Sequence, residues 1–231
     1  MREIILDTET TGIDPASGHR VVEIGCVEMI GGSRTGAFFH TYLNPDRDMP
    51  EEAERVHGLS AKFLADKPRF SQVVEEFLRF IGNSKLVIHN AAFDMKFINS
   101  ELTRTGFAPI EMSRATDTVM IARKKFPGSP ASLDALCKRF NIDLSGRTKH
   151  GALLDAELLA EVYIELLGGR QVALFAENAG ASASAQAQAV AQAQDREFIA
   201  ARDFSPSADE LAAHRAFLDS FKNPLWLVEA E

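Results

Sequence analysis

Two acidic side chains lie two residues apart in the N-terminal stretch IILDTETTG, residues 4–12. The apolar residues before them predict a buried β-strand, and on a strand the side chains of Asp7 and Glu9 point to the same face. Two ionised carboxylates among apolar neighbours repel each other and lose hydration. A divalent cation would compensate for both costs, because Mg²⁺ and Mn²⁺ prefer oxygen ligands. A solvated strand end is the simpler alternative, so the pair alone indicates only a candidate metal site.

Three residues farther along the chain could join this pair. Asp94 follows the predicted strand LVIHN in the first turn of a predicted helix, and Asp155 lies in the first turn of another. His150 lies five residues before Asp155, in a polar loop. Side chains at such junctions are often functional, but acids in a first turn also stabilise the helix dipole, and a lone loop histidine is commonly a surface residue. The spacing leaves both interpretations open for each residue.

The elements that would position these side chains form one compact α/β domain over residues 1–169. Apolar and β-branched runs predict strands over 2–7, 20–30, 37–45 and 86–90. Apolar residues at helical spacing predict helices over 71–81, 93–104, 132–140 and 152–167, the first of them capped by Ser71. Three consecutive strands followed by alternating helices and strands predict a mixed β-sheet flanked by helices.

The composition changes after this domain. Residues 176–194 are almost entirely Ala, Gln, Ser and Gly, with one acid, and such a segment predicts a flexible linker. Residues 195–231 contain eight acidic and four basic residues, which gives a net charge of −4, together with many large apolar side chains. A short helix is expected over 208–221, behind Ser207. An acidic, apolar tail too small to fold alone is most simply a docking segment for another protein.

The overall composition is ordinary for a globular protein, with 45% hydrophobic and 25% charged residues. The net charge of −8 argues against binding nucleic acid through a broad basic surface, although it allows a nucleic-acid enzyme whose metal ions meet the phosphates. Cys26 and Cys137 are expected to be reduced core residues. The sequence has neither a signal-peptide pattern nor a long apolar run, so we expect a cytoplasmic protein.

Three motifs occur in a fixed order: DTETTG at 7–12, NAAFD at 90–94 and HGALLD at 150–155. Together they resemble the DEDDh exonucleases, which use four acidic residues and a histidine. The chain is also similar to the proofreading exonucleases of bacterial replicative polymerases in VHG at 56–58, TDT at 116–118, SLDAL at 132–136 and its acidic tail. The resemblance implies a ribonuclease H-like fold and a 3′–5′ DNA exonuclease that removes mispaired 3′-terminal nucleotides.

The resemblance also implies roles for individual residues. Two divalent cations, Mg²⁺ or Mn²⁺, would be held by four carboxylates: Asp7, Glu9, Asp94 and Asp155. His150 would be the general base, since imidazole exchanges protons near neutral pH. The terminal nucleotide would be contacted by a set that shares three of these acids: Asp7, Glu9, Glu52, His57 and Asp155. Asp117 would lie near the site without being a ligand, and Phe93 could stack on a base or simply pack in the core.

Partners are implied in the same way. The peptide at 170–175 contains QVALF, which is similar to peptides that dock into the bacterial sliding clamp through residues such as Gln171, Leu174 and Phe175. A frayed helix end is the alternative for this peptide. The tail, 195–231, would bind the alpha subunit of the polymerase at the replication fork, through an apolar set of Phe217, Leu218, Phe221, Leu225 and Trp226. A small accessory subunit is a further expected partner.

Two other functions use the same features. A free-standing 3′ exonuclease acting on RNA would need the same acids and histidine, but it would not need a linker and an apolar tail. A scaffold with an inactive nuclease site would bridge clamp and polymerase, but the complete set of acids together with His150 argues against it.

Overall fold

The computed structural model describes residues 1–146, 149–169 and 206–220. The strands are β1 (Arg2–Thr10), β2 (Val21–Ile30), β3 (Ser33–Tyr42), β4 (Lys85–Ile88) and β5 (Ala115–Asp117). The helices of the first part are α1 (Glu51–His57), α2 (Ala61–Leu64), α3 (Phe70–Ile81), α4 (Ala91–Arg104), α5 (Thr118–Lys125), α6 (Leu133–Phe140) and α7 (Ala152–Leu166). A separate unit contains α8 (Ala208–Leu218). None of the described helices has the length and apolar character needed to cross a bilayer.

The five strands form one mixed sheet in the order β3-β2-β1-β4-β5. The first three strands of the chain pair antiparallel, whereas β4 lies parallel to β1 and β5 parallel to β4. The predicted mixed sheet is therefore confirmed. Its antiparallel half forms from local hairpins, and its parallel half is added by crossovers through helices.

The central strand β1 extends beyond its neighbour β4. Pairing with β4 ends at Leu6 and Ile88, whereas pairing with β2 continues through Asp7 and Glu9 to Thr10. The last residues of β1 therefore have a paired strand on one side only. On the other side they leave a notch, into which side chains that follow β4 can reach.

Alternation along β1 divides the core between the two faces of the sheet. Ile4 and Leu6 pack with the apolar residues of α3 and α4, which include Phe77 and Phe97. Ile5, which points the other way, packs with the apolar residues of α6 and α7. The two-residue period of the strand thus places helices on both faces, and the same period continues into the acidic residues that follow.

Several local predictions need correction. The residue that precedes α3 is Arg69 rather than Ser71, because the helix already begins at Phe70. Two short helices, α1 and α2, and the pair formed by β5 and α5 were not predicted, because each is too short to show a clear apolar period. Ser207 does cap α8, with its hydroxyl accepting from the Glu210 N–H, although the helix ends at Leu218 rather than at residue 221.

The structure does not test the predictions for most of the segments that follow residue 169, but it does test those for the two cysteines. The proposed clamp peptide at 170–175, the linker at 176–194 and most of the tail lie outside the described residues, so their boundaries stay predictions. Cys26 and Cys137 are buried and form no disulfide with each other, as expected for reduced core residues.

A buried ion pair holds the segment that joins β1 to β2. The Arg20 guanidinium donates to both carboxylate oxygens of Glu101, at 2.6 and 2.8 Å, and also to the Pro45 carbonyl. Glu101 is only 2% exposed. Its hydrogen bonds with the guanidinium raise the pKa of Arg20 above its ordinary range. A bidentate arginine contact of this kind fixes orientation as well as distance. It therefore anchors the loop after β1 to helix α4.

We expect Arg20→Ala to destabilise the protein by about 3–5 kcal/mol, because the buried Glu101 carboxylate would lose its partner. The matched control is Arg69→Ala, which removes an exposed pair with Asp46 and should cost less than about 1 kcal/mol. Urea unfolding of both variants measures the difference. Equal losses would contradict a special role for the Arg20 pair.

Candidate active site

The end of β1 presents polar side chains to both faces of the sheet. Asp7 and Glu9 continue the face of Ile5 towards α7, as the alternation of the strand predicts. Thr8 points to the opposite face, where its hydroxyl donates to Asp94 Oδ1 at 2.7 Å. Asp94 lies in the first turn of α4, which begins three residues after β4 ends. The notch beside β1 thus brings an acid from beyond β4 to the two acids of the strand.

Like charges act on one another within this group. The pKa of Asp7 lies well above its ordinary value, first because of burial and then because of the carboxylates of Asp94, Glu9 and Asp155. Burial also raises the pKa of Asp94 to about 7, although the hydrogen bond from Thr8 opposes that change. Three further carboxylates thus discourage the ionisation of Asp7, and the group is stable only when protons or cations supply positive charge.

Asp155 is brought to the group by close packing of α7 on β2. Gly25 pairs with Asp7 across the sheet, and a methyl group at Gly25 would lie 2.3 Å from the carbonyl carbon and oxygen of Ala152. No real Cβ approaches backbone atoms this closely, so glycine is required where the first turn of α7 crosses the strand. The missing side chain lets Asp155, three residues farther along, approach Asp7.

His150 completes a compact set of potential metal ligands. One ligand atom from each of Glu9, His150 and Asp155 lies within 4.8 Å of the other two. Nδ1 of His150 is 3.3 Å from Asp155 Oδ2, and its backbone N–H donates to the Val56 carbonyl at 3.3 Å. The carboxylates are almost fully buried, whereas the imidazole is 49% exposed. The histidine therefore faces solvent from the rim of an acidic pocket.

This donor set fits a hard divalent cation. All four acids offer oxygen ligands, which Mg²⁺ and Mn²⁺ prefer, and their mutual repulsion would be relieved by bound positive charge. A softer zinc site would be expected to contain more nitrogen or sulfur, and the one thiol near the group, that of Cys26, is buried in the core. The four predicted metal ligands and His150 are thus brought together, although their individual roles stay predictions.

A cleft of about 380 Å³ opens beside the acids. One wall is the end of β1 and the turn after it, and the other wall is helix α1. The lining residues include Thr8, Glu9, Thr10, Thr11, Gly12, Ile13, His19, Glu52, Val56, His57 and Phe93. Glu52 and His57, both predicted to contact a terminal nucleotide, therefore lie in the same cleft as Glu9.

His57 has an unusual environment for a buried histidine. It is 5% exposed, and its Nδ1 accepts a hydrogen bond from the Leu59 N–H at 3.0 Å. The proton of the neutral ring is therefore on Nε2, which is buried without a well-formed hydrogen bond to the described residues. Burial lowers the pKa of His57, and the nearby carbonyl of Thr10 and carboxylate of Glu23 oppose that change. The cleft is thus lined by a neutral imidazole whose Nε2–H has the Thr10 carbonyl nearby but makes no well-formed bond to it.

Two of the predicted residues have mixed outcomes. Phe93 lines the cleft and also packs on Phe97 at 5.0 Å between ring centroids, so the structure is compatible with both of its suggested roles. Asp117 caps α5 by accepting from the Val119 N–H, and it accepts from the Asn90 N–H as well. It lines a second cleft, and its charge adds to the raised pKa of Asp94, so it lies near the acids; that it is not a ligand stays a prediction.

Sequence reasoning missed three contributors to the site. The hydrogen bond from Thr8 to Asp94 was not predicted, because it joins residues 86 positions apart, which a local pattern cannot reveal. His19 lines the cleft, where its Nδ1 lies 3.1 Å from the Thr11 hydroxyl, but a histidine in a loop gave no signal. Gly25 could have been suspected, because a glycine inside an apolar strand often marks a close approach.

The chain is similar in sequence to known exonucleases. The chain matches the model of the RNase T exonuclease family over residues 4–163. It is 52% identical over 223 residues to the DNA polymerase III subunit epsilon of Rickettsia felis, which covers 95% of this chain and 96% of that protein. It is 45% identical over 225 residues to the corresponding subunit of Escherichia coli K12, with 94% and 92% covered. The similarity to these relatives therefore extends beyond the sheet to almost the whole chain.

Solved structures support the same fold. A complex of Exonuclease X with 5′-overhanging duplex DNA has a TM-score of 0.58 and 26% identity, covering 80% of this chain and 98% of that one. The nuclease domain of 3′hExo, a DEDDh family member bound to rAMP, has a TM-score of 0.60 at 18% identity, covering 72% and 91%. The second likeness is one of fold alone.

The raised pKa of Asp94 predicts a pH dependence of stability without divalent cations. A carboxyl group whose pKa is higher in the folded state stabilises the fold when protonated, so this contribution is lost as the pH rises from about 4 to about 7. In EDTA at about pH 8, we expect Asp94→Asn to be more stable than the wild type by on the order of 1–4 kcal/mol. Near pH 4 the two should converge. Thermal unfolding at both pH values, with Asp134→Asn as an exposed control, tests this, and lower stability of Asp94→Asn at pH 8 would contradict it.

Proposed function

The chain belongs to the RNase T exonuclease family, and we propose that it is a metal-dependent 3′–5′ DNA exonuclease that proofreads for a replicative DNA polymerase. The observation that carries this proposal is the meeting of Glu9, His150 and Asp155 within 4.8 Å, next to Asp7 and Asp94. An exonuclease needs a site for a phosphodiester, a group that accepts a proton and a pocket for the terminal nucleotide. The end of β1 offers all three in adjoining places.

The four carboxylates would hold two cations, Mg²⁺ or Mn²⁺. When bound, such cations lower the pKa of a water molecule and stabilise charge on the cleaved phosphate and its leaving oxygen. The fold contributes fixed geometry: Asp7 and Glu9 are held by a paired strand, and Asp155 by the first turn of α7. Thr8 orients Asp94 through its hydroxyl, and this leaves Asp94 Oδ2 available as a ligand.

His150 would act as the general base. Its Nδ1 is directed to Asp155, so Nε2 is the ring nitrogen left to take the proton of the attacking water. Half of the imidazole is exposed, which gives a substrate and its water access to that nitrogen. The backbone bond to Val56 ties this loop to helix α1, which forms a wall of the cleft.

The cleft would hold the terminal nucleotide. The Nε2–H of His57 is the buried donor that a sugar or base oxygen could satisfy, and Glu52 could accept a hydrogen bond from a sugar hydroxyl. The exposed apolar side chains of Ile13 and Val56 lie at the same cleft and could pack on the base. A frayed, mispaired end would enter more readily than a paired one, because its base is already unstacked.

The partners are proposed from the relatives and from the segments beyond the domain. The matching subunits belong by name to DNA polymerase III, so this chain would bind the alpha subunit of that polymerase, with the tail at 195–231 as the binding segment. The peptide at 170–175 would bind the sliding clamp, and a small accessory subunit would bind elsewhere on the domain. Residues 176–194 would link the two bound segments in the bacterial cytoplasm.

The nuclease proposal is tested with single-stranded DNA and RNA labelled at the 5′ end. We expect stepwise shortening of DNA from its 3′ end, dependence on Mg²⁺ or Mn²⁺, and complete inhibition by EDTA. His150→Ala should lower the rate by roughly 10²–10⁴-fold while leaving metal-dependent stabilisation intact.

The matched control for that variant is His214→Ala, which removes an exposed histidine of α8 and should cleave DNA at the wild-type rate. A wild-type rate in His150→Ala would refute the general-base role. An inactive wild-type protein would favour the scaffold alternative, and a clear preference for RNA would favour the RNA exonuclease.

Variants that each remove one of the two binding segments test the proposed clamp and alpha-subunit contacts. The triple variant Gln171→Ala, Leu174→Ala, Phe175→Ala should still bind the alpha subunit and lose at least roughly tenfold in affinity for the clamp, because the apolar anchors are gone. A chain that ends at Phe175 should show the reverse, with clamp binding kept and alpha binding lost. Surface plasmon resonance with immobilised clamp and alpha subunit measures both, and unchanged clamp affinity of the triple variant would rule out the peptide.

A further inference from the structure

Lys149 is the residue directly before His150, and its side chain lies across the end of helix α1. Gly58 ends that helix with φ of +78°, and a methyl group built there would lie 2.6 Å from Cδ and 3.1 Å from Nζ of Lys149. The lysine chain therefore occupies the space that a side chain at Gly58 would need. Its ammonium group is placed at the rim of the nucleotide cleft, beside residues 56–58.

The charge of this ammonium group reaches the cleft. Lys149 is one of the groups that lower the pKa of His57, whose ring lines the cleft. The ammonium group therefore lies beside the wall of the cleft that is formed by α1.

Lys149 is also uncommitted, unlike other cations around the cleft. Arg20 is held by Glu101, and Lys96 lies 2.8 Å from Asp14. Lys149 is exposed, and within the ranges 1–146, 149–169 and 206–220 it has neither an ion pair nor a hydrogen bond from its ammonium group. Among the described residues, this ammonium group is therefore a cation without a partner at the rim of the cleft, in a chain with a net charge of −8.

We propose that Lys149 binds a phosphate of the substrate strand on the 5′ side of the scissile phosphate. This rests on the proposed nuclease function, in which the cleft holds the 3′-terminal nucleotide and the carboxylates face the scissile phosphate. Every other phosphate of the strand then lies on its 5′ side, and an ammonium group at the rim of the cleft is placed for one of them. The contact supplies attraction for DNA that the acidic surface around the site lacks.

A structural role is the alternative. A lysine at the C-terminal end of a helix stabilises the helix dipole, and the chain of Lys149 also covers Gly58. That role predicts lower thermal stability on substitution and no change in the dependence of DNA binding on salt. A phosphate contact predicts unchanged thermal stability and a weaker dependence of DNA binding on salt, so the two roles are separable.

The test compares full-length wild type, Lys149→Ala, Lys149→Arg and Lys138→Ala on a single-stranded oligodeoxynucleotide over a range of KCl concentrations at fixed Mg²⁺. Lys138 is an exposed lysine of α6 that lines neither cleft, so it controls for the loss of one charge. We expect Lys149→Ala to raise KM by roughly three- to tenfold with little change in kcat. The slope of log(kcat/KM) against log[salt] should become shallower by about 0.7, the value for one phosphate contact on a single strand. In Lys149→Arg, KM and the salt slope should both be close to the wild-type values, because the positive charge is kept.

Hydrolysis of thymidine 5′-p-nitrophenyl phosphate supplies the second readout. This mononucleotide ester has only the scissile phosphate, so its kcat/KM should fall less than that of the oligonucleotide in Lys149→Ala. An equal fall on both substrates would overturn the proposal, and so would a salt slope equal to that of Lys138→Ala. Failure of the nuclease function itself is distinguishable, because the wild type would then cleave neither substrate.

Discussion

Mutual repulsion of four carboxylates at the end of one strand is the constraint on which this molecule depends. Asp7 and Asp94 both have raised pKa values, first because burial removes their carboxyl groups from water and, for Asp7, also because the carboxylates of Asp94, Glu9 and Asp155 lie nearby. A flexible loop would relieve that repulsion by moving apart. Here the acids are attached to a strand that stays paired with β2 through Thr10 and to the first turns of two helices, so they stay together. Because the backbone keeps the carboxylates close together, binding of a divalent cation would be favourable.

Two backbone features create the position of the acids. The early end of β4 opens a notch beside β1, so that Asp94, attached to a helix on one face of the sheet, reaches acids that point to the other face. Gly25 removes the one side chain that would hold α7 away from the strand. Neither the early end of β4 nor Gly25 supplies a reactive group. They set the distances between the reactive groups, and small errors in such distances are costly for a metal site.

Much of the fold followed from the sequence, because periodicity reports burial directly. The alternation in β1 predicted that Asp7 and Glu9 share a face, and the apolar period of α7 placed Asp155 in a first turn. The sequence did not reveal α1, whose seven residues contain three acids, an arginine and a histidine and no apolar stripe. Nor did it reveal the bond from Thr8 to Asp94 or the packing of Gly25 on Ala152, because these depend on how distant segments meet. The motifs named the reacting groups, and tertiary contacts explain why those groups can act together.

The same acidic character limits how strongly the domain can hold DNA. Net negative charge disfavours a polyanion at every distance within the Debye length, and bound cations would offset only the charge of the carboxylates themselves. A proofreading enzyme gains from this weakness, because a nuclease with high intrinsic affinity would also degrade correctly paired ends. The proposed tether resolves the conflict: nineteen residues at 176–194 would span roughly 25 Å as coil. A site confined to that distance from a polymerase experiences an effective concentration on the order of millimolar. Weak contacts at the cleft are then sufficient for a frayed end and too weak to capture a stacked one.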